Sequence, residues 1–424
     1  MLRMVRYSFR VYSASVDLDC VLSKGKKVNW TRLLWWLGPW CDQQRSPNHI
    51  QHRDFQVDAS SESFRFRQYS GATVRGAVMV LPGLHPDGVN DPRLDRFCKV
   101  LADSGVLVGI PELPTMKRSI MESSVLIDAE EAVRFFLSQI ESKGFNSFGL
   151  FCISASSIAG LHLGAHPQLS VHIDRLHLFG GFSDWMSSLR FAMTGEILDS
   201  DPAEVLVVDP LSLPVVYMNL LANFPTFVVD FVNIPIQLQE SFLQCLYSYV
   251  SQSWEKPHVS HPKDTAVIAS VILQELLEDC TEMDVDHERV AFVFKQACAI
   301  EKGGQDIVHD FLDFLKTVNG NVEEVEWLDP KPLIQSIQMP LDISHGRDDF
   351  VVPYPQAHEL LKMSSTNTQI FITGLYHHTG VVSLQRVLSQ LLGLPQELWT
   401  SLSMVKALAR LGQPSEQGAE NTVS

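Results

Sequence analysis

Gly149-Leu-Phe-Cys-Ile-Ser-Ala-Ser-Ser-Ile-Ala-Gly160 is a segment in which the chain changes its pattern. The residues before Ser154 are almost all apolar, which is typical of a buried strand, and those after it are mostly small, which suits a helix packed closely against that strand. Because the change falls at Ser154, we predict a strand that turns sharply into a helix there. Such a turn holds the serine hydroxyl out at the end of the strand.

Further short apolar runs, each set between turn residues, lie on both sides of this segment. With the strand of the segment itself they cover residues 78–81, 106–113, 148–154, 176–182, 341–344 and 369–373. Stretches with helical spacing lie between or after them, at 94–102, 127–140, 356–362 and 381–392. Apolar strands that alternate with helices predict a buried parallel sheet. Residues 54–59 and 63–69 alternate around a turn, which predicts an antiparallel hairpin at the sheet edge.

A long insertion interrupts this pattern. It has several prolines, few strand signals and helical stretches at 236–250, 265–277 and 306–315. The predicted fold class is therefore α/β, with a mostly parallel sheet flanked by helices and a large helical cap insertion. The predicted parts are an N-terminal extension (1–52), the core (53–184 and 336–412), the cap (185–335) and a polar tail (413–424).

The composition limits the class of protein. The chain has 424 residues, of which 45% are apolar and 19% are charged, so it can bury a sizeable core and is not a disordered chain. Lys and Arg number 33 against 49 Asp and Glu, which gives a net charge of −16. A protein that binds the phosphate backbone has the opposite balance, so we expect no nucleic-acid partner.

The cysteines and the first residues bear on the compartment. Seven cysteines are spread along the chain without a CxxC motif, which argues against a disulfide framework or a zinc ribbon and favours a reducing, cytoplasmic compartment. Arg3, Arg6 and Arg10 precede the first acid, Asp17, but no apolar run of a secretory signal follows them. An organellar presequence is the alternative.

Two apolar stretches raise the question of membrane contact. Residues 211–229 are interrupted by Pro214, Pro225 and polar side chains, which predicts a broken, buried helical region instead of a membrane span. Residues 30–40 hold four tryptophans and three leucines, a composition that suits a membrane interface. Peripheral membrane contact there stays open beside the favoured alternative, packing onto the domain's own surface. The sequence does not define the oligomeric state.

Two other segments stand, like Ser154, at predicted strand ends, where open α/β sheets place their ligands. His345-Gly-Arg-Asp-Asp-Phe-Val-Val-Pro353 follows one strand, and Gly374-Leu-Tyr-His-His-Thr379 follows the next. The chain order is therefore serine, aspartate, histidine. A serine hydroxyl becomes a nucleophile when an imidazole takes its proton and a carboxylate fixes the imidazole tautomer, and the three segments contain these residue types.

This order, the strand–turn–helix context of Ser154 and the HGxxDxxVP segment together resemble the α/β-hydrolase superfamily, over about residues 53–184 and 335–395. The resemblance implies an esterase- or lipase-like serine hydrolase. The sequence has no GxxxxGK(S/T) loop and no GxGxxG after a strand, so we expect no cofactor. Ser154 would be the nucleophile, His378 the base and Asp349 the acid. The segment LPGLHPDG, which begins at Leu81, resembles the family's oxyanion loop, so the Leu84 N–H and the Ala155 N–H would stabilise the oxyanion.

The chain departs from the family pattern at the serine. The family usually has glycine two residues before and after the nucleophile, where this chain has Cys152 and Ser156. Several assignments stay open. Asp184 is an alternative acid and His377 an alternative histidine, and Cys152 is a disfavoured thiol nucleophile. The other histidines, such as His85, His162 and His166, form no ligand set with carboxylates, so no metal site is predicted.

Three classes of function follow from these residues. The first is hydrolysis of a carboxylic ester or thioester through an acyl-enzyme. The second is a non-catalytic protein of the same fold that binds a ligand or a partner, which the altered serine turn motivates. The third is an acyltransferase, because an alcohol can intercept the same acyl-enzyme. Apolar residues of the cap predict a hydrophobic ester if they line a pocket, and they carry no such implication if they form the cap's own core: Leu220, Leu221, Phe224, Phe227, Val228, Val229 and Phe231.

Overall fold

The computed structural model describes residues 28–38, 41–42, 44–197, 208–254, 262–283, 285–298, 309–311, 313–314, 323–376, 378 and 394–413. Eight strands form one sheet in the order β1-β2-β4-β3-β5-β6-β7-β8. The strands are β1 Gln51–Val57, β2 Phe64–Ser70, β3 Ala77–Leu81, β4 Leu107–Pro111, β5 Phe148–Ile153, β6 Ile173–Phe179, β7 Leu341–Gly346 and β8 Thr368–Thr373. The strands from β3 onward are parallel, and the hairpin of β1 and β2 pairs antiparallel at one edge. The predicted fold class is thus confirmed.

Helices connect these strands. Around the sheet they are α1 Trp30–Leu37, α2 Pro92–Asp103, α3 Pro114–Lys117, α4 Ser124–Glu141 and α5 Ser157–Ala165. Between β6 and β7 they are α6 Trp185–Thr194, α7 Ser212–Asn223, α8 Pro225–Phe227, α9 Ile236–Trp254, α10 Pro262–Asp279, α11 His287–Ala297, α12 Glu323–Glu326 and α13 Pro330–Ser336, with further helical residues at 309–311 and 313–314. After β7 come α14 Pro355–Met363 and α15 Leu394–Leu411. The helix predicted at 381–392 lies outside the described residues.

The sheet is buried on both faces because its strands are apolar throughout. In β3, Ala77, Met79 and Leu81 belong to one hydrophobic core, while Val78 and Val80 belong to another on the opposite face. This alternation follows from the period of two residues along a strand. The first core is completed by α4, α5 and α14, and the second by α1, α2 and α15.

The helices inserted between β6 and β7 bury a separate core of their own. It contains most of the apolar residues that sequence analysis offered as a pocket lining: Leu220, Leu221, Phe224, Phe227 and Val228. Phe227 packs edge-on against Phe311, so its ring is a core contact. These side chains therefore do not support a hydrophobic ester pocket. The chain between 212 and 232 is broken into three short helical pieces, as the prolines predicted.

Asn219 ties these inserted helices to the core of the sheet. Its amide oxygen accepts the Met121 N–H (2.8 Å), and its amide nitrogen donates to the Ser119 carbonyl (3.1 Å). Ser119 has a positive φ of 61°, a conformation that costs a non-glycine residue energy. The buried amide of Asn219 therefore holds a strained turn in place while it anchors α7.

Helix α1 packs onto the domain's own surface. Leu33 is fully buried, and the Trp36 Nε1–H donates to Asp103 (2.9 Å). The Trp30 ring lies under the Lys406 ammonium of α15, while Trp35 is 63% exposed. Among the residues that the structure describes, no helix combines the length and the apolar character needed to cross a membrane. Membrane contact through residues 30–40 remains untested.

His177 on β6 makes the stability of the fold depend on pH. It is fully buried, and its Nε2 lies 2.8 Å from the Ser344 hydroxyl. Burial lowers the pKa of His177 from 6.5 to about 4, although Asp342 opposes the shift. Below pH 6.5 the unfolded chain binds a proton that the folded protein excludes, so the free energy of unfolding should fall from pH 6.5 to about 4.

The variant His177→Gln keeps a hydrogen-bonding group at this position and removes the titration. We expect its free energy of unfolding to fall less steeply over the same pH range than that of the wild type, as measured by urea unfolding at several pH values. Parallel curves for the two proteins would contradict a neutral buried His177.

Candidate active site

The turn predicted at Ser154 is present. Strand β5 ends at Ile153, Ser154 has a positive φ of 55°, and a short 3-10 turn leads directly into α5. A positive φ is costly for serine and persists where surrounding contacts hold it. It brings the Ser154 side chain out at the carboxyl end of the sheet, where the residue is half-buried.

The structure brings together the three residues that sequence analysis selected. His378 Nε2 lies 2.7 Å from Ser154 Oγ, and His378 Nδ1 lies 2.8 Å from Asp349 Oδ2. Because a carboxylate only accepts hydrogen bonds, the imidazole proton belongs on Nδ1 and Nε2 is free to accept the Ser154 hydroxyl proton. Such a hydrogen-bonded chain has the arrangement in which an imidazole can take the proton of a serine hydroxyl.

Glycine at 180 makes room for the imidazole. Gly180 follows β6 with a φ of 66°, and a Cβ added there would lie 3.3 Å from the Cε1 atom of His378. A larger residue would therefore push His378 away from Ser154. His377 lies outside the described residues, so the choice between the two histidines rests on the contacts of His378.

Asp349 is held as an anion at the base of this chain. Its Oδ1 accepts the N–H groups of Val351 (2.8 Å) and Val352 (2.9 Å), and the residue is 1% exposed. Burial by itself raises the pKa of the Asp349 carboxyl, but His378 and His345 outweigh it and hold that pKa below its ordinary value. The carboxylate can therefore orient His378 and stabilise the positive charge that forms on it.

His345 is a contact of Asp349 that sequence analysis did not assign. Its Nε2 lies 2.8 Å from the Val352 carbonyl and 3.2 Å from Asp349 Oδ2, so it carries its proton on Nε2 and donates to both. The signal was available, because His345 is the histidine of the HGxxDxxVP segment. Its role depends on a turn that returns Val352 to the end of β7, which spacing alone does not define.

The departure at Cys152 is accommodated by a glycine further along the chain. Cys152 is fully buried, and a Cβ added at Gly160 of α5 would lie 2.2 Å from its sulfur. The close packing of α5 on β5 therefore relies on glycine at position 160 of the helix instead of glycine at position 152 of the strand. Burial also raises the pKa of the Cys152 thiol, which removes it as a candidate nucleophile.

Ser156 occupies the second departure and uses its hydroxyl to brace the turn. Its Oγ accepts the Ile153 N–H (2.9 Å) and donates to the Leu81 carbonyl (2.8 Å) at the end of β3. The hydroxyl thus joins the Ser154 turn to the loop that follows β3. Glycine at this position would have no group that makes these bonds.

The packing of Cys152 against Gly160 can be tested by substitutions at both positions. Gly160→Ala should lower the free energy of unfolding by about 3 kcal/mol, because the new methyl group overlaps the Cys152 sulfur. In Cys152→Gly/Gly160→Ala the clash is absent, and we expect stability within about 1 kcal/mol of the wild type. Urea unfolding measures both values, and a double variant no more stable than Gly160→Ala would contradict this packing.

The predicted oxyanion loop lies against the serine turn. A Cβ added at Gly83 would lie 3.0 Å from the Ile153 carbonyl oxygen and 3.2 Å from the Ser154 Cβ. Leu84 follows in this loop, and among the described residues its N–H has no hydrogen-bond acceptor. Ala155 follows Ser154 within the 3-10 turn. Both predicted oxyanion donors therefore lie in segments next to Ser154.

A polar and aromatic group of residues borders this loop. The His85 ring, just after Leu84, packs edge-on against Trp254 of α9 at 4.7 Å. Arg93 contacts both His85 and Asp91 at 3.0 Å. Burial lowers the pKa of His85, and Asp91 opposes the shift. Trp254 thus brings the inserted helices to the edge of the oxyanion loop.

Asp209 is a further acid near the site that sequence analysis missed. Its N–H donates to the carbonyl of Phe350 (3.1 Å), the residue after Asp349, and its carboxyl caps the Leu211 N–H (2.8 Å). Burial raises the pKa of Asp209, while Leu211, His378 and Arg93 oppose the shift. The segment before Asp209 gave no motif, so its position depends on the tertiary fold alone.

Asp184, the alternative acid, lies away from this chain of hydrogen bonds. It is exposed and caps α6 by accepting the Ser187 N–H. Within the part of the chain that the structure describes, no group of histidines, cysteines and acids has the arrangement of a metal site.

Comparison with known proteins adds a set of distant structural likenesses. No protein-family model and no curated protein sequence matches the chain. Among solved structures, it is similar to an acylaminoacyl peptidase of Pyrococcus horikoshii at 11% identity and a TM-score of 0.45, over 87% of this chain and 43% of the peptidase. It is also similar to an esterase of Pyrococcus furiosus at 10% identity and a TM-score of 0.43, over 86% and 92%.

An esterase domain from Rhodothermus marinus is similar at 12% identity and a TM-score of 0.38, over 82% of this chain and 97% of that domain. The chain spans less than half the length of the peptidase. Its strand order, its antiparallel first hairpin and its strand–turn–helix at Ser154 are those of an α/β-hydrolase, and the chain has that fold.

Proposed function

We propose that the protein is a serine hydrolase that cleaves a carboxylic ester or thioester through an acyl-enzyme. One observation carries the proposal: His378 lies within hydrogen-bond distance of both Ser154 Oγ (2.7 Å) and Asp349 Oδ2 (2.8 Å). A serine with only a structural role needs no imidazole beside its hydroxyl. For His378 to act as a general base, a buried carboxylate beside its Nδ1 is the group that fixes the tautomer, and Asp349 has that position.

In the proposed reaction Ser154 Oγ attacks the carbonyl carbon while its proton moves to His378 Nε2. The carbonyl oxygen becomes an anion, which the N–H groups of Leu84 and Ala155 stabilise. As this intermediate collapses, the bond to the alcohol breaks and His378 returns the proton to the leaving oxygen. Water, with His378 again as base, then cleaves the acyl-enzyme and releases the acid. No cofactor takes part in this proposal.

Acyl transfer to an alcohol is the second candidate, because water and an alcohol compete for the same acyl-enzyme. A non-catalytic binding protein is the third. The reason to consider a binding protein is the presence of Cys152 and Ser156 at the turn. That reason is weakened because Ser156 braces the turn and Ser154 still lies within hydrogen-bond distance of His378. We propose a reducing, cytoplasmic compartment, which the reduced thiols of Cys98, Cys152, Cys245, Cys280 and Cys298 suit.

The polarity of the substrate is a finer part of the proposal. A hydrophobic ester was expected from phenylalanines that lie in the core of the inserted helices. The groups beside the oxyanion loop are instead Trp254 and Arg93, with Asp209 beside the Asp349 turn, a mixed set that can contact both apolar and charged parts of a substrate. We therefore propose a small ester and leave its chain length to be measured.

The test is turnover of p-nitrophenyl esters of increasing acyl chain length, with neutral and charged members, in the presence and absence of a competing alcohol. The proposal expects release of the free acid above the buffer rate for at least one ester. A new ester product with the alcohol would favour the acyltransferase. A folded protein that cleaves no member and forms no acyl-enzyme would favour the binding protein.

A further inference from the structure

We propose that Glu397 of α15 is a positioning residue, which holds the loop carrying His378 in register with the loop carrying Asp349. The inference rests on the proposed function, since it concerns the geometry of the same hydrogen-bonded chain. Glu397 lies outside every motif that sequence analysis selected. It touches none of the reacting atoms and acts through the two loops.

Three donors converge on the Glu397 carboxyl group, which is 5% exposed. Its Oε2 accepts the Thr373 hydroxyl proton at 2.9 Å and the Gly374 N–H at 2.9 Å. Its Oε1 accepts from the Arg347 guanidinium. Charge-assisted bonds to a buried carboxyl group are among the strongest in proteins, and here they come from two separate chain segments.

Those segments lead directly to the site. Thr373 ends β8, and Gly374 begins the turn that reaches His378. Arg347 follows β7 and precedes Asp349 in the next turn. The Arg347 N–H also donates to the Thr373 carbonyl (2.8 Å). This backbone hydrogen bond joins the ends of β7 and β8 at the two residues whose side chains bind Glu397. Beyond this contact the two loops carry His378 and Asp349, whose side chains meet at 2.8 Å.

Anchoring α15 does not require an acid. The helix already buries Met404, Val405 and Leu408 against the sheet and α1. Burying a carboxyl group costs desolvation, and well-packed apolar residues often replace buried ion pairs without loss of stability. An acid with three donors at the root of two catalytic loops is therefore better explained by the geometry that it fixes than by the stability that it adds. A displacement of about 1 Å can slow catalysis by about 100-fold.

The experiment compares Glu397→Gln and Thr373→Val with a matched control, Glu359→Gln, which removes an exposed acid that pairs with Lys362 on α14. Thr373→Val removes one of the three donors to Glu397 and keeps a side chain of similar volume. It tests the same contact if Glu397→Gln does not fold. Steady-state kinetics on the best ester gives kcat and KM separately. The downfield proton NMR signal of the hydrogen bond between His378 and Asp349, assigned by its loss in His378→Ala, reports the geometry without catalysis.

We expect Glu397→Gln to lower kcat at least about 10-fold with KM within about 2-fold, and to broaden or shift the downfield signal. Thr373→Val should do the same to a smaller extent, and Glu359→Gln should match the wild type. If kcat and the signal stay at wild-type values in folded variants while only the melting temperature falls, Glu397 is a structural residue and the inference is wrong.

Failure of the proposed function gives a different pattern. A wild-type protein that cleaves no ester, yet has a downfield signal that Glu397→Gln disturbs, would overturn the hydrolase assignment and keep the positioning role. A wild-type protein that cleaves esters, with a Glu397→Gln variant whose kcat and downfield signal are unchanged, would support the hydrolase assignment and overturn the positioning role.

Discussion

Ser154→Ala should lower kcat/KM for ester hydrolysis by at least about 10⁴-fold. In the proposed reaction the Ser154 hydroxyl is the group that attacks, and its hydrogen bond to His378 at 2.7 Å is the contact that would activate it. Alanine keeps the Cβ at a positive φ, so the turn and its packing are unchanged. The melting temperature should therefore stay within about 2 °C of the wild type.

The matched control is Ser142→Ala, which removes an exposed hydroxyl that bonds only to a carbonyl at the end of α4. We expect wild-type kinetics from it. Ser154→Gly adds a second check, because glycine relieves the strain at a φ of 55° and should be more stable by about 1 kcal/mol yet equally inactive. Residual activity of Ser154→Ala above about a tenth of the wild type would contradict the nucleophile assignment.

Asp349→Asn should lower kcat by about 10⁴-fold, the loss that this change causes in a serine protease with a Ser-His-Asp triad. The amide oxygen can still accept the Val351 and Val352 N–H groups, which leaves the NH₂ group facing His378 Nδ1. His378 Nδ1 must then accept a hydrogen bond from this NH₂ group instead of donating one. The imidazole is driven to carry its proton on Nε2, where it cannot accept the proton of Ser154.

Asp184→Asn is the matched control for Asp349→Asn, since it changes the alternative acid. Asp184 only caps α6, so we expect kcat within about 3-fold of the wild type and at most about 1 kcal/mol of lost stability. Steady-state kinetics and urea unfolding measure both variants. The assignment of the acid would be reversed if Asp184→Asn were inactive and Asp349→Asn were active.

The strands could be predicted because each carries its own signal. Apolar runs set between turn residues located β3, β5, β7 and β8 to within a few residues, and the alternating pattern located the hairpin of β1 and β2. The three segments at strand ends also carried their signal locally. Parallel strands bring their carboxyl ends to one edge, so Ser154, Asp349 and His378 meet although they are far apart in the chain.

What could not be predicted depends on contacts between distant segments. Nothing near Cys152 in the chain reveals that Gly160 makes room for its sulfur, because that contact needs the packing of α5 on β5. In the sequence, nothing distinguishes Glu397 from any other acid in the first turn of a helix. Its three donors become visible only when β7, β8 and α15 are assembled.

The phenylalanines of the inserted helices illustrate a different limit. Hydrophobic periodicity predicts that a face is buried, but it does not say whether a neighbouring helix or a substrate covers that face. In this protein Phe224 and Phe227 face Phe311 within the same group of helices. The expectation of a hydrophobic pocket therefore lost its basis, while the helical character of the insertion was predicted well.

The most direct test of the central claim is the reaction of the purified protein with a fluorophosphonate, followed by mass spectrometry of the labelled peptide. We expect one adduct, on Ser154, formed by the wild type and not formed by His378→Ala at a comparable rate. A folded wild-type protein that forms no adduct, or that carries its adduct on another residue, would contradict the claim that Ser154, His378 and Asp349 form a working catalytic triad.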